Sequence, residues 1–125
     1  MKPKIVILDT NFLLIPELYR VDVFEKIKEL MNEPYELYIM DKTIDELNKI
    51  VASAKTKDKE AAKLALQLVK QKGLKSLPCS STVDECILNG PVDYAATQDR
   101  DLKRALKAKG VKIITLRQKH YLKVE

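Results

Sequence analysis

The chain has 125 residues, 46% of them hydrophobic and 33% charged. This is the length of one domain, enough to bury a core without a disulfide scaffold or a structural metal, and the composition excludes a disordered chain. No apolar run approaches the roughly 20 residues a membrane helix needs. Met1-Lys2-Pro3-Lys4 carries no signal-peptide pattern, so a cytoplasmic protein is expected.

The net charge of +5 is unevenly spread. From Asp99 onward nine bases face three acids, whereas the first 98 residues hold 14 bases and 15 acids. An anionic partner such as nucleic acid would account for the basic C-terminal quarter, and so would a solvated lysine surface. His120 is the only histidine, which excludes His-rich zinc sites and a Ser-His-Asp triad. Cys79 and Cys86 stand seven apart, a spacing that matches neither a CxxC redox pair nor a zinc knuckle. Two buried free thiols are expected. Any chemistry must then come from carboxylates, hydroxyls, amides or lysines.

Ile5-Val6-Ile7-Leu8 opens the fold as a short, continuous apolar run. Such a run reads as a central strand buried on both faces of a parallel sheet. It leads directly into Asp9, where open α/β sheets place their ligand sites. Phe12-Leu13-Leu14-Ile15 before Pro16 leaves room for one turn of helix. Asp22 then caps a helix with Phe24, Ile27, Leu30 and Met31 on one face, closed by Pro34. Glu36 to Met40 reads as the second strand. Thr43-Ile44-Asp45-Glu46 opens the next helix, with Leu47, Ile50, Val51 and Ala54 as its apolar stripe. Asp58 is expected to cap a further helix that ends at Gly73. Together these two helices form an arm with a lysine-rich outer face.

Leu74 to Leu77 is a weak strand candidate. Ser80-Ser81-Thr82 begins a helix that carries Asp84, Cys86, Ile87 and Leu88. Pro91 to Thr97 is the third strong strand candidate, with Asp93 out of character in it. Asp99-Arg100-Asp101 opens a helix ending at Gly110, and Val111 to Leu116 is the last strand. The alternation gives a parallel sheet with helices on both faces, in a single α/β domain spanning residues 1–125.

Four acids share one kind of position. Asp9 ends the first strand, and Glu46, Asp84 and Asp99 lie near helix starts. In a doubly wound sheet such starts gather at the carboxyl edge. Carboxylates brought that close cannot all ionise without a counter-charge. A divalent cation with a taste for oxygen, Mg²⁺ or Mn²⁺, is the natural one. Each of Glu46, Asp84 and Asp99 can equally be a capping or helix-dipole acid. Asp9 has no helix to cap within reach, which favours function there. Asp101 sits beside the group but can also pair with Lys103 or Arg104.

Three segments, Val6-Ile7-Leu8-Asp9-Thr10-Asn11-Phe12-Leu13, Thr82-Val83-Asp84-Glu85-Cys86-Ile87-Leu88 and Ala95-Ala96-Thr97-Gln98-Asp99-Arg100-Asp101-Leu102-Lys103-Arg104, resemble the PIN domain, a family of metal-dependent ribonucleases. The helix Thr43-Ile44-Asp45-Glu46-Leu47 fits the family's second acidic position. The last segment is most similar to the branch of ribosomal-RNA processing nucleases and their archaeal relatives. The resemblance implies a three-layer α/β/α fold with a mostly parallel sheet. It implies Asp9, Glu46, Asp84 and Asp99 as metal-binding acids of the catalytic site, Asp101 as an auxiliary one, and Thr10, Asn11 and Thr97 as orienting groups. It also implies a tendency to homodimerise.

The reaction so implied is endonucleolytic hydrolysis of RNA by metal-activated water, leaving a 5′-phosphate and a 3′-hydroxyl. Arg100, Lys103, Arg104 and also Lys49 or Lys55 would then hold backbone phosphates of a single-stranded or flexible RNA. The five tyrosines are expected to pack rather than stack on bases. The alternatives are a toxin ribonuclease with an antitoxin partner and a non-catalytic RNA-binding or ribosome assembly factor. An aspartyl phosphatase built on Asp9 lacks its second Asp, because Asn11 stands there.

Overall fold

A computed structural model describes residues 2–53 and 55–125; Met1, and Ala54 of the expected stripe, lie outside them. Six strands form one sheet in the order β3-β2-β1-β4-β5-β6. They are β1 Lys4–Leu8, β2 Tyr35–Met40, β3 Lys75–Leu77, β4 Tyr94–Ala96, β5 Lys112–Arg117 and β6 Tyr121–Val124. All neighbours pair in parallel except β5 and β6. The helices are α1 Ile15–Tyr19, α2 Val23–Leu30, α3 Asp41–Ser53, α4 Thr56–Gln71, α5 Val83–Asn89 and α6 Arg100–Ala108.

β1 is apolar throughout its inner length because both of its faces are covered. Val6 and Leu8 join one core layer with Phe12, Ile27, Leu47 and the alanines Ala61, Ala62 and Ala65. Ile7 points the other way, into a second layer with Val83, Ile87, Leu102, Leu106 and Ile113. This alternation along one strand puts α1 to α4 on one side and α5 and α6 on the other. The chain runs outward from β1 through β2 to β3, then returns to place β4 on β1's other flank. The crevice between the carboxyl ends of β1 and β4 is therefore the topological switch point, where such sheets bind ligands.

Several local expectations are corrected. Asp9 does have a helix to cap: a 3-10 turn, Thr10–Leu14, begins right after it, and its side chain accepts from Thr10 N–H. Pro16 does not stop the chain's helix but lies in the first turn of α1, where its missing N–H costs nothing. α3 starts at Asp41, directly after β2, so Thr43 is a buried helical residue and forms no capping box with Glu46. α4 starts at Thr56 after Lys55, and Asp58 is an acid of its first turn, not its cap. Thr82 caps α5 through Glu85 N–H, so Asp84 has no capping role with Ser81. Asp93 lies just outside β4 and its carboxylate accepts from Ile5 N–H at 2.8 Å, which explains its presence beside an apolar strand.

The sheet also has one strand more than expected. β6 returns against β5 through a tight turn in which Gln118 and Lys119 both take positive φ, 54° and 56°. The loop has three residues, Gln118 to His120, and its two consecutive left-handed residues, closed by His120 N–H on the Arg117 carbonyl, make a turn of the kind that usually calls for Asn-Gly. Neither residue here announces it.

Cys79 and Cys86 are not free thiols. They form a disulfide, with Cα atoms 5.7 Å apart, that ties the segment after β3 to α5. Both residues are partly exposed. Closing a loop this short restricts the unfolded chain by about 2 kcal/mol in the entropy model. A dithiol reductant is therefore expected to lower the melting temperature by several degrees, and the Cys79→Ser, Cys86→Ser double variant to melt there with or without reductant. An unchanged transition would mean that the bridge contributes nothing.

Candidate active site

Asp9 is 5% exposed and held from two sides. One carboxylate oxygen accepts from Thr10 N–H at 2.8 Å, and the other accepts from Thr97 Oγ1 at 2.8 Å. Thr97 follows β4, so this second bond spans the switch point. Its hydroxyl in turn accepts from Asp99 N–H at 3.1 Å. The Thr10 hydroxyl donates to Glu46 Oε1 and lies 3.0 Å from Thr43 Oγ1. With its one proton given to Glu46, it accepts at Thr43. Two threonines thus fix two acids that come from different layers of the sequence.

Asp9, Glu46 and Asp84 line one cavity of about 450 Å³, together with Thr10, Asn11, Lys49, Ile50, Thr82 and Val83. Asp84 also borders a neighbouring hollow of about 270 Å³ with Asp99 and Asp101. Three of the five acids share the cavity; Asp99 and Asp101 border the neighbouring hollow with Asp84, and the Asp99 N–H is tied to Asp9 through the Thr97 hydroxyl. Asp99 caps α6, its Oδ1 accepting from Leu102 N–H at 2.9 Å. Asp101 is 93% exposed at its side chain and pairs at 3.7 Å with Arg104. In so exposed a pair the energy is small.

Electrostatics couple these groups. Burial, then the charges of Asp84 and Glu46, push Asp9 up from 3.8 to about 6, although the bonds from Thr97 and Thr10 pull the other way. Asp84 is also raised, by desolvation first and then by Asp99 and Glu46. Among the described residues no three potential ligands converge closely enough to form a protein-only metal cage. The donor set is nonetheless all oxygen and mutually repelling. It suits an ion such as Mg²⁺, which keeps several waters and takes one or two carboxylates plus substrate phosphates.

The expected phosphate-binding bases divide. Lys103 Nζ donates to Thr115 Oγ1 at 2.7 Å, and burial lowers its pKa. Arg104 faces Asp101, and Arg100 is exposed at the start of α6. The tyrosines mostly pack: Tyr94 is buried and its hydroxyl donates to Glu33 at 2.7 Å. Tyr19 and Tyr121 are the exposed exceptions at 39% and 41%. Sequence reading missed Thr43, whose place beside Thr10 depends on α3 starting two residues earlier than its cap-like pattern suggested.

A doubly wound sheet with threonine-oriented acids at its switch point defines a class, and the family model confirms it: residues 6–119 match the PIN-like domain, and the chain belongs to that family. It is similar to Ribonuclease VapC4 of Methanocaldococcus jannaschii, with 28% identity over 95% of each chain. The solved structure of the PIN domain endonuclease Utp24 superimposes with a TM-score of 0.79 and 25% identity. The match covers 98% of this chain and 92% of that one. No described helix is long and apolar enough to cross a membrane.

Proposed function

We propose that this chain is a divalent-metal-dependent endoribonuclease whose site is the cavity of Asp9, Glu46 and Asp84. The observation that carries the reading is Asp9 itself: a buried acid at the switch point, doubly hydrogen-bonded, with two further acids on the same cavity. Likeness to a ribonuclease over nearly the whole chain supports RNA as substrate.

Asp9 together with Glu46 or Asp84 would hold Mg²⁺ or Mn²⁺, waters and substrate phosphate completing its shell, and Asp99, tied to Asp9 through Thr97, is a further candidate ligand. When bound, such an ion lowers the pKa of a coordinated water and stabilises charge on the phosphodiester. The chain's own residues do the positioning. Thr97 and Thr10 aim the Asp9 carboxylate, Thr10 also fixes Glu46, and burial leaves Asp9 itself only 5% exposed. Because Asp9 takes up a proton near pH 6 in the free protein, proton and cation compete for it.

RNA cleavage is expected to require Mg²⁺ or Mn²⁺, to stop with chelator, and at limiting metal to fall as pH drops through about 6. Cleavage that persists in chelator would reject the proposal. The motif resemblance favours ribosomal-RNA processing as the cellular role, with an intracellular site of action. A toxin instead would arrest growth on induction and be relieved by an antitoxin encoded beside it, and sequencing of the cleaved RNAs separates the two.

A further inference from the structure

We propose that Lys49 is the phosphate-holding residue of the cavity, so that RNA enters along α3 rather than along α6. This rests on the endoribonuclease reading and adds where the substrate backbone lies. Lys49 follows Glu46 by three residues on α3 and therefore shares its face. It is the one basic residue among those lining the cavity with Asp9, Glu46 and Asp84.

Its surroundings keep the ammonium ready for a ligand. The side chain is exposed, and among the described residues it enters no salt bridge, although three acids border the same space. Its ammonium makes no hydrogen bond among the described residues; beyond the helix's own bonds, its backbone carbonyl accepts from Ser53 Oγ at 2.7 Å. On α6, Lys103 bonds Thr115, Arg104 faces Asp101 and Lys107 pairs with Glu125, while Arg100, exposed and equally unpaired among the described residues, does not line the cavity. Charge counting points the same way. Three carboxylates against one ammonium leave two negative charges, which a single divalent ion balances. A phosphodiester entering the cavity meets Lys49 as the cation that the described lining residues supply. Ile50, the next residue, offers the sugar an apolar edge.

The test is binding of a fluorescein-labelled single-stranded oligoribonucleotide across a salt series, with Ca²⁺ in place of Mg²⁺ so that the probe stays intact, together with cleavage kinetics in Mg²⁺. Lys49→Ala should weaken binding about five- to tenfold and reduce the salt slope by about 0.7, the value for one phosphate on a single strand. It should raise KM much more than it lowers kcat. Lys49→Arg should recover most of the affinity. Lys112→Ala, an equal loss of charge at the amino end of β5, should leave both unchanged.

A Lys49→Ala protein with wild-type affinity and slope would overturn the proposal, as would an equal loss in Lys112→Ala. If wild-type protein cleaves RNA and Lys49→Ala is indistinguishable from it, this inference falls and the nuclease reading stands. If the wild type binds in a Lys49-dependent way without cleaving, the inference stands and the nuclease reading falls.

Discussion

Asp9→Asn abolishes RNA cleavage, by at least about 100-fold, and at the same time makes the metal-free protein more stable at neutral pH. The two effects have one cause. Asn keeps the shape, and its amide oxygen still accepts from Thr10 N–H; at Thr97 the bond reverses, the NH₂ donating to Thr97 Oγ1, so the buried Thr97 proton loses its acceptor at a cost of about 1–3 kcal/mol. What disappears is the negative charge, which is needed to hold a cation and costly without one.

The sign follows from the direction of the shift. Asp9 is raised in the folded state, to about 6 from 3.8, so its ionisation opposes folding. That penalty is absent below pH 3.8, grows as pH rises toward about 6 and is complete above it. It is on the order of 3 kcal/mol. Removing it, less the cost of the stranded Thr97 proton, should raise the neutral-pH melting temperature of the metal-free protein by roughly 5 °C. Thermal unfolding in chelator at pH 4 and pH 7 reads this directly: the advantage of the Asn variant should be present at pH 7 and nearly gone at pH 4. A stability difference between variant and wild type that is the same at pH 4 and pH 7 would show that ionised Asp9 does not oppose folding as described.

Thr97→Val is the second large effect. Thr97 is fully buried, and its hydroxyl donates to Asp9 while accepting from Asp99 N–H. Valine fills the same space but leaves both partners unsatisfied, at about 1–3 kcal/mol for a buried unpaired group. An orienting partner of a metal ligand typically accounts for 10–100-fold in metal affinity or activity, so a loss of about that size is expected. The pH profile distinguishes this from a general weakening of the fold. The Thr97 bond lowers the Asp9 pKa, so without it the acid side of the profile moves to higher pH. Thr97→Ser should restore both. Wild-type metal affinity and an unmoved profile in Thr97→Val would remove Thr97 from the site.

How much of this was legible in the sequence depends on whether a feature is local. The apolar run ending in Asp9 announced the central strand and its acid, because a strand buried on two faces cannot alternate. The helix starts near Asp84 and Asp99 were likewise visible, since their caps follow common patterns. Glu46 was assigned to the right helix for the wrong reason: Thr43 looked like a cap, but β2 runs into α3 without a loop and buries Thr43 beside Thr10. β6 was hidden because Gln118 and Lys119 adopt left-handed conformations that their side chains do not favour. The disulfide was hidden because a seven-residue spacing says nothing about how closely two chain segments approach. That Asp99 and Asp101 border a second hollow beside Asp84 is tertiary too. It depends on where α6 stands relative to α5, which no local pattern encodes.

The most direct measurement is an anomalous difference map from crystals grown in Mn²⁺. One strong peak is expected in the cavity, within coordination distance of Asp9 and of Glu46 or Asp84, lost in Asp9→Asn crystals. A peak elsewhere on the protein with none beside Asp9, in a preparation that cleaves RNA, would contradict the assignment of this cavity as the catalytic site.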